Sequence, residues 1–217
     1  SHAVATIVYP GMIGALTGIN DQGLFLSVND GADSLGIVYV ANRMSFLNKM
    51  FDFLLDSSNM DGLQKAINTT RANFPVILDV AGKESASIYE DAPFAIEHRE
   101  AKPNGVIAAT NDYLLKRWGI MRLGTFTQSM TRYDHLLKLA NQYKGKINVI
   151  TMQKIMSLPL VTKEGKPGPG VTEYATAKNE TIMTMYQVIS APKSNIIWVR
   201  IPNYSDWTKI DLNPLFR

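Results

Sequence analysis

The sequence predicts an α+β domain of mostly antiparallel sheets with helices packed outside them. Three observations lead there. Helical and strand-like segments come in blocks rather than in strict alternation, which disfavours a parallel βαβ order. The strand-like runs are short and parted by Gly, Pro, Asn and Asp. The 217 residues, 46% of them hydrophobic, suffice for a single domain with a sizeable core.

Taken in order, residues 3–9 are an apolar, β-branched run, read as a strand. Residues 10–29, PGMIGALTGINDQGLFLSVN, read as a β-hairpin. Asn20-Asp21-Gln22-Gly23 has the chemistry of its turn, with Asn bonding nearby backbone and Gly supplying a positive φ. Beyond the turn, Leu24, Leu26 and Val28 share one face, and Phe25, Ser27 and Asn29 the other. Gly14 and Gly18 mark places where another backbone or a ligand comes close. Asn29 then either ends a strand on a face that is not plain core, or simply opens the next loop.

Residues 46–55 have helical spacing, with Phe46, Met50, Phe53 and Leu54 on one face. Asp61 is read as the N-cap of a second helix running to about residue 73, burying Leu63, Ala66 and Ile67. Strands are expected at 76–80, 86–90, 94–99 and 106–110. A helix follows at 131–143, with a stripe of Tyr133, Leu136, Leu137 and Ala140 and a capping pair of Thr131 and Asp134. Residues 151–156 are read as a short helix. The Gly/Pro-rich loop at 164–170 lacks the order of a phosphate cradle. Strands at 181–190 and 196–201 close the chain.

Composition excludes several functions. The net charge is only +3, and no Lys/Arg cluster forms the basic face that nucleic acid requires. No apolar run approaches the ~18 residues of a membrane span. His2, His98 and His135 stand far apart, in no metal-ligand spacing, so no metal is expected, and His135 is read as a surface residue. No Gly-x-Ser-x-Gly elbow is present. The ten methionines read as core filler. With no cysteine, this chain has no disulfide and no thiol nucleophile of its own. The compartment stays open, with an exported setting favoured over the cytoplasm, and an oligomer is compatible with everything above.

Three segments carry a resemblance. The hairpin resembles the pattern Pro-Gly-x-x-Gly-x-x-Thr-Gly-x-Asn-x-x-Gly-Leu, followed by an Asn, of the choloylglycine hydrolase and isopenicillin-N acyltransferase superfamily. That group includes acid-ceramidase-like and other linear-amide hydrolases. Ala109-Thr110-Asn111-Asp112-Tyr113 is similar to the family's Thr-Asn-His/Asp-aromatic segment. Ser129-Met130-Thr131-Arg132-Tyr133 is similar to its Ser-x-Ser/Thr-Arg-Tyr/Phe segment. Order and rough spacing agree across most of the chain.

The resemblance implies a four-layer αββα sandwich of the N-terminal-nucleophile hydrolases. It implies no cofactor and a small-molecule amide substrate, attacked by an N-terminal cysteine whose own α-amino group is the base. Asn29 would donate to the developing oxyanion. Asn111 would hold the nucleophile's amino group. Arg132 would stabilise charge near the nucleophile. As a cation in the first turn of a helix, Arg132 opposes the helix dipole at a small cost, which suits a residue with another use. Phe25, Tyr113 and Trp118 are candidate aromatic walls of an acyl pocket, or else ordinary packing. Segments 31–43, 114–126 and 163–172 are the candidate specificity loops.

The chain also departs from the pattern. The family's nucleophile precedes a strand and is followed by an Arg-Asn-x-Asp-like segment, and neither is in this sequence. Residues 4–9 align with the strand just before the family's Pro-Gly, which places the nucleophile upstream of Ser1. The expectation is therefore the C-terminal portion of one αββα hydrolase domain, spanning residues 1–217. Its nucleophile would lie on a preceding segment or on a second peptide. The alternatives are a non-catalytic ligand-binding protein on the same scaffold and a hydrolase that uses Ser1.

Overall fold

The computed structural model describes residues 1–102, 105–119, 128–162, 164–174 and 183–216. The first strands are β1 (Val4–Ile7), β2 (Thr17–Asn20) and β3 (Phe25–Asp30). Helices α1 (Ala32–Leu35), α2 (Phe46–Asp56) and α3 (Met60–Thr69) follow. Next come β4 (Val76–Ala81), β5 (Ala86–Asp91) and β6 (Ile96–Glu100). Helices α4 (Ser129–Gln142) and α5 (Val149–Ser157) precede β7 (Gln187–Ala191), β8 (Ile196–Ile201) and β9 (Ser205–Asp211).

β1 to β6 form one antiparallel sheet in chain order, and β7-β8-β9 form a second. The period-2 pattern of β3 decides what each face of the first sheet meets. Leu24, Leu26 and Val28, with Val76, Leu78 and Val80 of β4, pack on Met50, Phe53 and Leu54 of α2 and on Leu63 and Ile67 of α3. On the opposite face Ala5, Ile19 and Phe25 pack against Val188, Ile197, Val199 and Ile210 of the second sheet. The far side of the second sheet meets α5, where Gln187 Nε2 donates to the Met156 carbonyl and Trp207 Nε1 to Ser157 Oγ. The result is the layered helix–sheet–sheet–helix order, with antiparallel sheets.

The hairpin turn forms as its sequence dictates. Gly23 takes φ +77°, and its N–H donates to the Asn20 carbonyl at 3.0 Å. Fully buried Asn20 spends its whole amide: Oδ1 accepts from the N–H groups of Gln22 and Leu24, and Nδ2 donates to the carbonyls of Leu54 and Ser57. The turn is thereby tied to the end of α2. Gly18 gives way to α2 as well, since a Cβ there would stand 2.6 Å from Leu54 Cδ1.

Several boundaries differ from expectation. Asn59, not Asp61, caps α3, accepting from Gly62 N–H at 2.9 Å, and Asp61 lies in the first turn. The helix ends at Thr69. α4 begins at Ser129 after Gln128, so Thr131 and Asp134 lie within it and do not cap it. Residues 106–110 form no strand; they are irregular backbone leading into the site. β9 is an addition: its residues alternate between Trp207 and Lys209 on one face and Thr208 and Ile210 on the other. Of the strand expected at 181–190, β7 occupies Gln187–Ala191, and residues 181 and 182 lie outside the described residues.

Candidate active site

β3 and β4 are the floor of a cleft of about 480 Å³. Phe25, Ser27 and Asn29 of β3 line it together with Asp79 of β4. Its walls include Thr110, Arg132 and Leu136 of α4, Met156 of α5, and residues 184–188 at the start of β7. β7 pairs with β8 alone, so its other edge is unpaired among the described residues. The cleft reaches from the inner face of the first sheet, past that free edge, to α4 and α5.

Three of the expected site residues come together here. Asn29 sits at the strand end on the cleft face, and its Nδ2 donates to Asp79 Oδ2 at 2.8 Å. Arg132 Nη2 donates to Asn111 Oδ1 at 2.6 Å. Asn111 Nδ2 donates to the Asp30 carbonyl at 2.9 Å, so the loop that carries it is fastened to the residue after Asn29. Asn111 N–H donates to buried Ser129 Oγ, which in turn donates to Thr110 Oγ1, each at 2.8 Å. The start of α4, the 110–111 loop and the end of β3 are thus one hydrogen-bonded unit. Arg132 also lies near Glu173, whose carboxyl burial pushes above its ordinary range while the guanidinium draws it down.

Phe25 both lines the cleft and packs between the sheets. Tyr113 and Trp118 correct the expectation of an aromatic wall, because neither lines the cleft. Their rings pack together at 4.9 Å in a separate cluster with Ile77 and Ile88. Fully buried Glu90 on β5 holds them there. It accepts from Leu114 N–H at 2.7 Å, Leu115 N–H at 3.2 Å and Trp118 Nε1 at 2.6 Å, with Arg99 Nε 3.4 Å away. Tyr113 OH donates to the Val76 carbonyl, and burial holds its hydroxyl well above the usual range. Of the three candidate specificity loops, residues 120–126 and 163 lie outside the described residues.

Ser1 does not reach this site. Val4 lies opposite Asn20, so Ser1 stands beyond the turn end of the hairpin. Asn29 is five residues up β3 from Leu24, about 17 Å at the usual rise per strand residue. His135 also departs from its reading as a surface residue. It is half-buried, and its ring Nδ1 lies 2.8 Å from the Gly170 carbonyl. Among the described residues, no group of three or more His, Cys, Asp or Glu could hold a metal. No helix among them is long and apolar enough to cross a membrane.

Sequence reasoning missed Asp79, Glu90 and Ser129. Asp79 had a legible signal: it is a lone charge in the apolar strand Val76-Ile77-Leu78-Asp79-Val80. Burial pushes its carboxyl up to about 6, while the Asn29 hydrogen bond and the Arg99 charge act the other way.

No family model and no curated protein sequence matches the chain. Solved structures do. Two variants of a conjugated bile acid hydrolase from Clostridium perfringens align with it at TM-scores of 0.57 and 0.60. They are 14% and 13% identical, each over 98% of this chain and 78% of the hydrolase. The chain has the N-terminal-nucleophile hydrolase fold. A weaker likeness, TM-score 0.47, is to a Caenorhabditis elegans N-acylethanolamine-hydrolyzing acid amidase ortholog, 13% identical over 92% of this chain and 80% of that one. In N-terminal-nucleophile hydrolase terms, the cleft lies between the two sheets, with polar side chains from the first sheet and from α4 turned into it.

Proposed function

We propose that this chain forms the larger part of an amidohydrolase that cleaves a linear, non-peptide amide through an acyl-enzyme. Its nucleophile is an N-terminal cysteine, supplied upstream of this chain or on a separate peptide, on a strand that adds beside β7. One observation carries this reading: Asn29 and Arg132, the latter bonded to Asn111, face one cleft beside β7, whose second edge is unpaired among the described residues.

The chemistry follows from those groups. The cysteine's α-amino group takes the thiol proton, and the sulfur attacks the amide carbon. The C–S bond forms while Asn29 donates to the oxygen that gains charge. The C–N bond then breaks, and the amine leaves with the proton held on the α-amino group. Water then gives a proton to the α-amino group as its oxygen attacks the thioester; the C–S bond breaks, the acid is released, and that second proton passes to sulfur. Arg132 favours the thiolate by its charge. Asn111 Oδ1, already accepting from Arg132, has a second lone pair to receive an N–H of the α-amino group.

A non-catalytic binding protein on the same fold is the second reading.

The test uses the native protein expressed from its full gene and a panel of bile-salt, N-acyl-lipid, penicillin-type and acyl-amino-acid amides. Release of free amine from at least one is expected. Saturable binding of such amides with no amine release from any would overturn the enzymatic reading in favour of the binding one.

A further inference from the structure

An asparagine amide can present either end, and its two ends do opposite things. The NH₂ offers two donors, and the oxygen only accepts. An oxyanion donor must therefore turn its NH₂ to the reacting oxygen with one N–H unspent. At Asn29 that choice depends on a neighbour. Asp79 lies across from Ser27 in the β3–β4 register, and its Oδ2 receives one N–H of Asn29 Nδ2 at 2.8 Å. An ionised carboxylate only accepts, so it binds the NH₂ end and leaves the second N–H for the cleft. A protonated carboxyl can donate, and would take the Oδ1 end equally well.

We propose that Asp79 is a positioning residue whose ionised form fixes the NH₂ end of Asn29 toward the reacting carbonyl. This rests on the reading of Asn29 as the oxyanion donor, and it makes that donor pH-sensitive. The charged and titratable groups around Asp79 come from several elements. Arg99 on β6 favours the ionised form and is itself 3.4 Å from Glu90 on β5. Arg132 lines the cleft from α4, while Tyr9 follows β1 and Tyr186 precedes β7 on its wall. Burial raises the Tyr186 hydroxyl, so it stays neutral through this range. β3 contributes the neutral Ser27 and Asn29, and the register partner of Asp79 on β5 is Ile88. The Asp79 carboxyl, raised by burial to about 6, gives up its ionised form in mild acid.

Two measurements test the proposal. The first needs no activity: the side-chain NH₂ signals of Asn29 are followed by ¹⁵N-edited NMR from pH 5 to 8 in wild type and in Asp79→Asn. A titration near pH 6 that disappears in the variant is expected. Signals that are flat in wild type, or that titrate unchanged in the variant, overturn it.

The second uses the complete active protein. Asp79→Asn should lower kcat about 10–100-fold, the usual scale for a residue that orients a reacting group, with KM little changed. It should also remove the acid limb of kcat. Added to Asn29→Ala, it should cost nothing further, because Asp79 acts through Asn29. An additive loss, or an intact acid limb, overturns the proposal. A fully active Asn29→Ala single variant would instead sink the oxyanion reading itself. A large loss in Asn29→Ala beside a neutral Asp79→Asn would sink only the positioning role.

Discussion

Arg132 Nη2 donates to Asn111 Oδ1 across 2.6 Å, joining the first turn of α4 to the loop behind the end of β3. The same amide donates from its other end to the Asp30 carbonyl at 2.9 Å. Removing Asn111 therefore breaks two linkages at once, one of them to a charged donor. Asn111→Ala should cost about 1.5–3 kcal/mol of stability, the scale of a hydrogen bond to a charged group. The shift of the urea midpoint reads this. A midpoint within error of wild type would mean that Arg132 does not depend on this partner.

Asn29→Ala addresses catalysis. In the complete protein it should lower kcat by the equivalent of about 2.7–4 kcal/mol of barrier, with KM nearly unchanged, because the donor acts on charge that develops only in the transition state. Single-turnover rates should fall in step with kcat. A change confined to KM would make Asn29 a substrate-binding group.

Asn20 is the structural counterpart of Asn29 at the other end of the hairpin. All of its amide capacity is spent inside the protein, on Gln22, Leu24, Leu54 and Ser57. Asn20→Ala leaves those groups unpaired in a buried place and should destabilise by about 2–4 kcal/mol. Denaturant unfolding checks the figure, and a loss below about 1 kcal/mol would mean that water replaces the amide.

Asp91 gives the fold a pH dependence. Burial pushes its carboxyl up to about 7, against the Ala72 N–H and the charges of Arg71 and Arg43. The unfolded chain would release that proton near the ordinary value of about 3.9. Between the two values the folded state binds more protons, so stability falls as pH rises through the window. Asp79 adds a contribution of the same sign up to about 6. Asp91→Asn should therefore raise the urea midpoint at pH 8 relative to wild type and leave it nearly unmoved at pH 4. A lower midpoint at pH 8 would show that the charged form is the one the fold holds.

Local pattern carried the sequence reading a long way. The alternation at Leu24–Asn29 assigned each side chain of β3 to its face, because a strand in a two-sided sheet leaves no other choice. The turn at Asn20–Gly23 was equally legible, since few residues besides glycine accept its positive φ. What stayed hidden depends on partners distant in sequence. Glu90 reads as an ordinary strand residue until Leu114, Leu115 and Trp118 are brought over it, and that capture takes Tyr113 and Trp118 away from the cleft. Asn59 outcompetes Asp61 as a cap by the position of its oxygen over Gly62 N–H, a shift of two residues that composition does not resolve. Residues 106–110 have strand-like composition, but no strand among the described residues pairs with them. Asp79 was visible as a charge in an apolar run, and its meaning came only with the Asn29 side chain hydrogen-bonded to it.

Under the proposed function, the cleft beside β7 receives a strand bearing an N-terminal cysteine. The most direct measurement is intact mass spectrometry of the native protein from its full gene, before and after a brief incubation with an amide substrate, followed by peptide mapping. The expected result is an N-terminal cysteine, on this chain's own upstream segment or on a co-purifying peptide, that gains the mass of the acyl group as a hydroxylamine-sensitive thioester. A native protein with no such cysteine, or an acyl group found on any other residue, would contradict it.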